Sequence, residues 1–156
     1  MKSESTNSTT NRRLRMASSE SKIIHPELSY TITGILFQAH NELGRYCNEM
    51  QYGDKIEQLL RDSSIKYERE KILPPSFEGE RGGRSKVDFL IENAVVLELK
   101  SKRLITKEDY YQTQRYLTAL GKELGILANF RQRYLTPKRV LNVRSSYSGH
   151  SDTFVD

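Results

Sequence analysis

Hydrophobic positions recur at helical spacing from Pro26 onward. Leu28, Ile32, Ile35, Leu36, Ala39 and Leu43 fall on one stripe, the pattern of a helix that buries one face. Pro26 suits the first turn of that helix and Gly44 its end. Tyr52, Ile56, Leu59 and Leu60 repeat the pattern and predict a second helix over about 47–62. Residues 65–72 then read as a strand, with Tyr67 and Ile72 as its apolar residues. Pro74-Pro75 and Gly82-Gly83 bracket a long charged loop. Two further strands, Lys86–Glu92 and Ala94–Lys100, flank Asn93, which suits a tight antiparallel hairpin. Thr106 and Asp109 resemble a capping box at the start of a third helix over about 106–121, which Gly121 is placed to end. Leu124–Phe130 reads as another strand and Arg139–Val143 as a short last one. The order helix, helix, three strands, helix, two strands predicts an α/β fold with a mixed sheet and helices on its faces.

The chain has 156 residues, 36% hydrophobic and 29% charged, so one domain with a real core is expected. Its longest aliphatic run is Ala94-Val95-Val96-Leu97. A spanning helix needs about 20 apolar residues, so no membrane contact is expected. Residues 1–22 carry a net charge of +3, and half of them are Ser, Thr or Asn. They are expected to form a disordered basic tail, with no apolar stretch of secretory length. Residues 145–156 are expected to be a flexible C-terminal tail, leaving 23–144 as the folded domain. Cys47 is the only cysteine; it allows no internal disulfide, and a reducing cytoplasm fits best. The net charge of +5 is compatible with nucleic acid as a partner but does not demand one.

Two carboxylates stand out. Asp88 lies inside Val87-Asp88-Phe89-Leu90-Ile91 and Glu98 inside Val95-Val96-Leu97-Glu98-Leu99, stretches that read as buried. An unpaired buried charge is costly. Lys100, two residues beyond Glu98, shares its face by the strand period. A hairpin turning near Asn93 brings Asp88 opposite the Glu98 region. Two readings follow from spacing alone. One is a cross-strand salt bridge. The other is a site for Mg²⁺ or Mn²⁺, which proteins often hold with one or two carboxylates plus waters and substrate phosphates. Lys100 would then serve the attacking water or the charge on phosphorus.

The set Asp88, Glu98-Leu99-Lys100 resembles the Asp…(Asp/Glu)-x-Lys signature of the PD-(D/E)XK nuclease superfamily. Within it, residues 23–143 resemble the GxxExxY family. Leu43-Gly44, Glu49-Met50-Gln51-Tyr52, Val87–Glu92, Val96–Lys100, Gln112–Leu117 and Leu124–Phe130 carry the likeness, in order and approximate spacing. One departure is plain: Tyr46 stands where the family has a second Gly. The resemblance implies a restriction-endonuclease-like core, a central mixed β-sheet flanked by helices. It implies a metal-dependent nuclease leaving a 5′-phosphate and a 3′-hydroxyl. Asp88 and Glu98 would bind the ion, with Glu49 as a further ligand or the holder of a water. Lys100 would serve the nucleophile, and Gln112 would bond a carboxylate, a water or a phosphate.

Lys102, Arg103, Arg131 and Arg133, with Lys138 and Arg139, could form one phosphate-tracking rim. Tyr110, Tyr111 and Tyr134 are candidates for stacking, although packing accounts for them as well. His25, His40 and His150 have no metal-ligand spacing, and His40, beside the first apolar stripe, reads as structural. Gln114 faces away from Gln112 and is given no role. Two other functions fit the same residues: a non-catalytic nucleic-acid-binding or complex-assembly module, and a phosphohydrolase of small nucleotides.

Overall fold

The computed structural model describes residues 24–83 and 85–143. The two expected tails lie outside the described residues. Helix α1 spans Pro26–Leu43 and α2 spans Glu49–Asp62. Strands β1 (Tyr67–Ile72), β2 (Lys86–Ile91) and β3 (Val95–Lys100) follow, then α3 (Lys107–Leu120), β4 (Leu124–Asn129) and β5 (Lys138–Leu141). Five strands form one sheet in the order β1-β2-β3-β4-β5, with β3 and β4 parallel and the other pairs antiparallel. The α/β mixed sheet flanked by helices is as expected. Among the described residues no helix is long and apolar enough to cross a membrane.

Both apolar stripes do what their spacing demands. Ile32, Ile35, Leu36 and Ala39 of α1 are buried, as are Tyr52, Ile56, Leu59 and Leu60 of α2. They pack with Phe89, Ile91, Val95, Leu97 and Ile126 of the sheet in the larger core. Leu117 of α3 joins a smaller cluster with Val87, Leu90, Val96, Leu127 and Val140. Each helical face removes apolar surface from water, about 25 cal/mol per Å².

Capping fixes the helix starts. Asn48 and Gln51 form a capping box on α2, and Thr106 and Asp109 form the one expected on α3. Glu92 belongs to the β2–β3 turn rather than to the strand. Glu92 and Asn93 both take a φ of 52°, the left-handed conformation of primed hairpin turns. Ile72 also departs from its expected place. It is 58% exposed, because β1 is an edge strand and Leu73 just beyond it takes the buried position.

Helix α3 sits close to β4 because Gly125 has no side chain. A Cβ there would lie 3.0 Å from Thr113 Cγ2 and 3.5 Å from Leu117 Cδ2. Gly125→Val is expected to lower stability by about 1–3 kcal/mol through overpacking. Urea denaturation measures this, and an unchanged midpoint would place α3 elsewhere.

Candidate metal centre

The two-residue alternation of β2 breaks at Asp88. Phe89 and Ile91 pack in the larger core, while Val87 packs with Leu90 in the smaller one. The regular β2–β3 register ends at Phe89↔Leu97. Beyond it, side chains replace the ladder. The Asp88 N–H donates to Glu98 Oε2 at 2.8 Å, and the Leu99 N–H donates to Asp88 Oδ2 at 2.7 Å. The two carboxylates are thus locked across the strand pair, as the hairpin geometry predicts. The other oxygen of each, Asp88 Oδ1 and Glu98 Oε1, accepts no hydrogen bond among the described residues.

Burial dominates their chemistry. Glu98 is 5% exposed. Burial, and then the charge of Asp88, push its carboxyl up to about 8. Asp88 is raised as well, by burial first; the Leu99 amide opposes this and the charge of Glu49 adds to it. The chemistry of the pair fits a hard cation. Two converging carboxylates that each keep one oxygen free can hold Mg²⁺ or Mn²⁺ and relieve their own repulsion.

Glu49 reaches this end of the sheet from the first turn of α2, where its Oε2 accepts the Ser101 N–H at 3.1 Å. Glu49 and Asp88 line one cleft, and among the described residues no group of three acidic, His or Cys side chains forms a metal cage. Lys100 shares the face of Glu98 and lowers both carboxyls by its charge. Its Nζ also lies 3.9 Å from Asp109 Oδ1.

Lys102 is turned toward α3. Its Nζ pairs with Asp109 Oδ2 at 2.6 Å, so it does not project freely onto the expected rim. Burial raises Asp109, but hydrogen bonds from Lys102 and Thr106 outweigh it and hold the carboxyl below its usual range. Arg103, Arg131 and Arg133 are exposed. Arg139 is committed to the fold, donating to Ser29 Oγ and the Ile24 carbonyl. Gln114 donates to the Leu141 carbonyl at 3.1 Å, a structural use in keeping with its lack of a site role. His40 is buried, with Nε2 2.9 Å from the Gln132 carbonyl, the structural place expected of it.

Two clefts open on the surface, and Asp88 lines one of them. One, of about 180 Å³, is lined by Glu49, Met50, Glu70, Lys86 and Asp88. The other, of about 130 Å³, lies between the β1–β2 loop and α3 and is lined by Arg81, Gln112, Arg115 and Tyr116. Burial raises the Tyr116 phenol and the charge of Glu98 raises it further. Gln112 has no hydrogen-bond partner among the described residues and bonds neither carboxylate.

Glu70, Arg115 and Tyr116 were not legible as site residues. Glu70 faces Asp88 between the register pairs Arg69↔Phe89 and Lys71↔Val87, with a left-handed φ of 54° and an ion pair to Lys86 at 2.8 Å. A charged residue on an edge strand carries no sequence signal of strain. The helical position of Arg115 and Tyr116 beside Gln112 is the one available hint.

The tyrosine of the Glu49–Tyr52 segment braces the backbone. Its hydroxyl donates to the Gly44 carbonyl and accepts the Cys47 N–H, and its ring stacks on Phe130 at 4.2 Å. Gly44 takes a φ of 80°, whereas Tyr46 has no positive φ, so a side chain at 46 leaves the path to Glu49 unstrained. Tyr52→Phe removes both hydrogen bonds and is expected to cost about 1–2 kcal/mol in urea denaturation.

The raised carboxyls make the metal-free protein sensitive to pH. Above the ordinary Glu value of 4.5 and below about 8, the folded chain holds protons that the unfolded chain releases. The stability this contributes is complete at low pH and is lost as pH rises through that window. In chelator, the urea midpoint is expected to fall between about pH 5 and about pH 8, and Glu98→Gln is expected to flatten the fall. A flat wild-type profile would contradict a buried, proton-binding pair.

Residues 26–140 match the PD-(D/E)XK nuclease superfamily. No curated protein and no solved structure matches the chain significantly. The match covers most of the chain, including the three helices among the described residues and all but the last residue of the sheet, and the chain belongs to the PD-(D/E)XK nuclease superfamily.

Proposed function

We propose that this protein is a divalent-metal-dependent nuclease that hydrolyses phosphodiester bonds in DNA or RNA. The reading is carried by one observation: Asp88 and Glu98 are interlocked through backbone amides, each with one oxygen free, on the strand face that bears Lys100. We also assign the chain to the GxxExxY branch, through Gly44, Glu49 and Tyr52.

Asp88 Oδ1 and Glu98 Oε1 would hold Mg²⁺ or Mn²⁺. Such an ion lowers the pKa of water and neutralises charge developing on phosphorus. The chain's own residues do the rest. Lys100 brings a cation to the carboxylate face, where it steadies the attacking water and the phosphoryl oxygens. Its 3.9 Å separation from Asp109 is too long for a strong hydrogen bond, so the ammonium is oriented without being consumed. Glu49, tied to the Ser101 amide, positions a water. Gln112 and Arg115, on the wall of the second cleft, bind phosphate oxygens beside the scissile bond. Products carry a 5′-phosphate and a 3′-hydroxyl.

Titration calorimetry with Mn²⁺ is expected to register binding to the wild type and none to Asp88→Ala. Asp88→Ala, Glu98→Ala and Lys100→Ala are each expected to cut cleavage of DNA or RNA by about a hundredfold or more while leaving the protein folded. Full activity in any of the three would sink the assignment. Metal-independent nucleic-acid binding that survives Asp88→Ala, with no cleavage by the wild type, would identify a binding module instead.

A further inference from the structure

Two exposed tyrosines carry arginines against their rings in the loops that follow α1 and β4. Tyr46 is 76% exposed. The Arg45 guanidinium lies 5.2 Å from its ring centroid and that of Arg131 lies 5.6 Å away. A second pair follows in the next turn of chain, with the Arg133 guanidinium 5.3 Å from the ring of Tyr134, which is 74% exposed. None of the three arginines pairs with a carboxylate among the described residues. This contrasts with Arg69, which is held by Asp54 and Glu57.

The patch is rigidly mounted. Arg45 Nε donates to the Arg131 carbonyl at 2.9 Å, joining two loops. The loop that carries Tyr46 is held by the Tyr52 hydroxyl at Gly44 and Cys47, and by the Ser101 hydroxyl, which donates to the Cys47 carbonyl at 3.0 Å. Ser101 also binds Glu49 and directly follows Lys100. Ser101 therefore ties the Tyr46 loop to the end of β3, the strand that carries Glu98 and Lys100.

We infer that Tyr46, with Arg45 and Arg131, is a stacking platform that binds single-stranded nucleic acid next to the metal centre, continued by Arg133 and Tyr134. Exposed rings and guanidinium planes stack on unpaired bases, and unpaired guanidiniums neutralise the adjoining phosphates. A duplex hides its base faces and offers such a platform only phosphates. The inference deepens the proposed nuclease reading by naming the strand state of its substrate.

The test uses the full chain in chelator, so that cleavage plays no part. Fluorescence anisotropy follows binding of labelled thymidylate and uridylate strands of about twelve nucleotides and of a mixed-sequence duplex of similar length. Tyr46→Ala is expected to weaken single-strand binding about tenfold, to leave duplex binding unchanged and to leave the urea midpoint unchanged. Tyr46→Phe, which keeps the ring, is expected to bind like the wild type. Equal single-strand affinity in wild type and Tyr46→Ala overturns the platform. So does an equal loss on single strand and duplex, or binding of neither strand while anionic lipid vesicles bind. Tyr46-dependent binding without any cleavage in Mn²⁺ would keep the platform and remove the nuclease reading. Cleavage with Tyr46-independent binding would do the reverse.

Discussion

The rest of the structure is arranged around a single electrostatic tension: two carboxylates buried side by side at the end of a strand pair. Charges removed from water cost several kcal/mol each unless compensated. Here each carboxylate receives one backbone amide, from the partner residue or its neighbour. That satisfies half of each group and leaves the other half available. The alternation of β2 breaks at Asp88, and Glu70 opposite it takes a left-handed φ. Irregular backbone is found where a rigid scaffold holds a site against its own preferences.

The scaffold holds that end of the sheet from several directions. The Asn129 amide group accepts the Lys102 N–H and donates to the Lys102 carbonyl, clasping the segment after β3. Ser101 links the same segment to the first turn of α2 through Glu49 and to the loop before it through Cys47. Asp109, fixed by the capping box of α3, draws Lys102 inward and lies within reach of Lys100. The starts of α2 and α3 thus converge where β3 and β4 finish in parallel. In open α/β sheets the carboxyl ends of parallel strands are where ligands are met.

Positive charge is divided between structure and surface. Arg69 lies across α2 where Gly53 has no side chain; a Cβ there would lie 2.5 Å from Arg69 Nη2. Arg139 ties β5 to the start of α1. These arginines support the fold. Arg45, Arg131 and Arg133 instead sit against exposed tyrosine rings, where a polyanion can reach them. A net charge of +5 says nothing of this division.

The sequence by itself determined the helix stripes, the capping boxes, the hairpin between β2 and β3, and the shared strand face of Glu98 and Lys100. Each follows from local backbone period or from a few neighbouring residues, which the chain carries wherever it is placed. The pairing of Asp88 with Glu98 was legible for the same reason, since one short turn joins them. Tertiary structure alone decided that Lys102 turns to Asp109, that Glu70 faces Asp88, that Arg115 lines the cleft with Gln112, and that Arg45 meets Arg131 across 86 positions. Those contacts depend on how independently formed elements pack, and side-chain reach across packed elements leaves no periodic trace in the chain. The left-handed φ at Glu70 was hidden for a related reason: the packing around it, and not its residue type, holds it there.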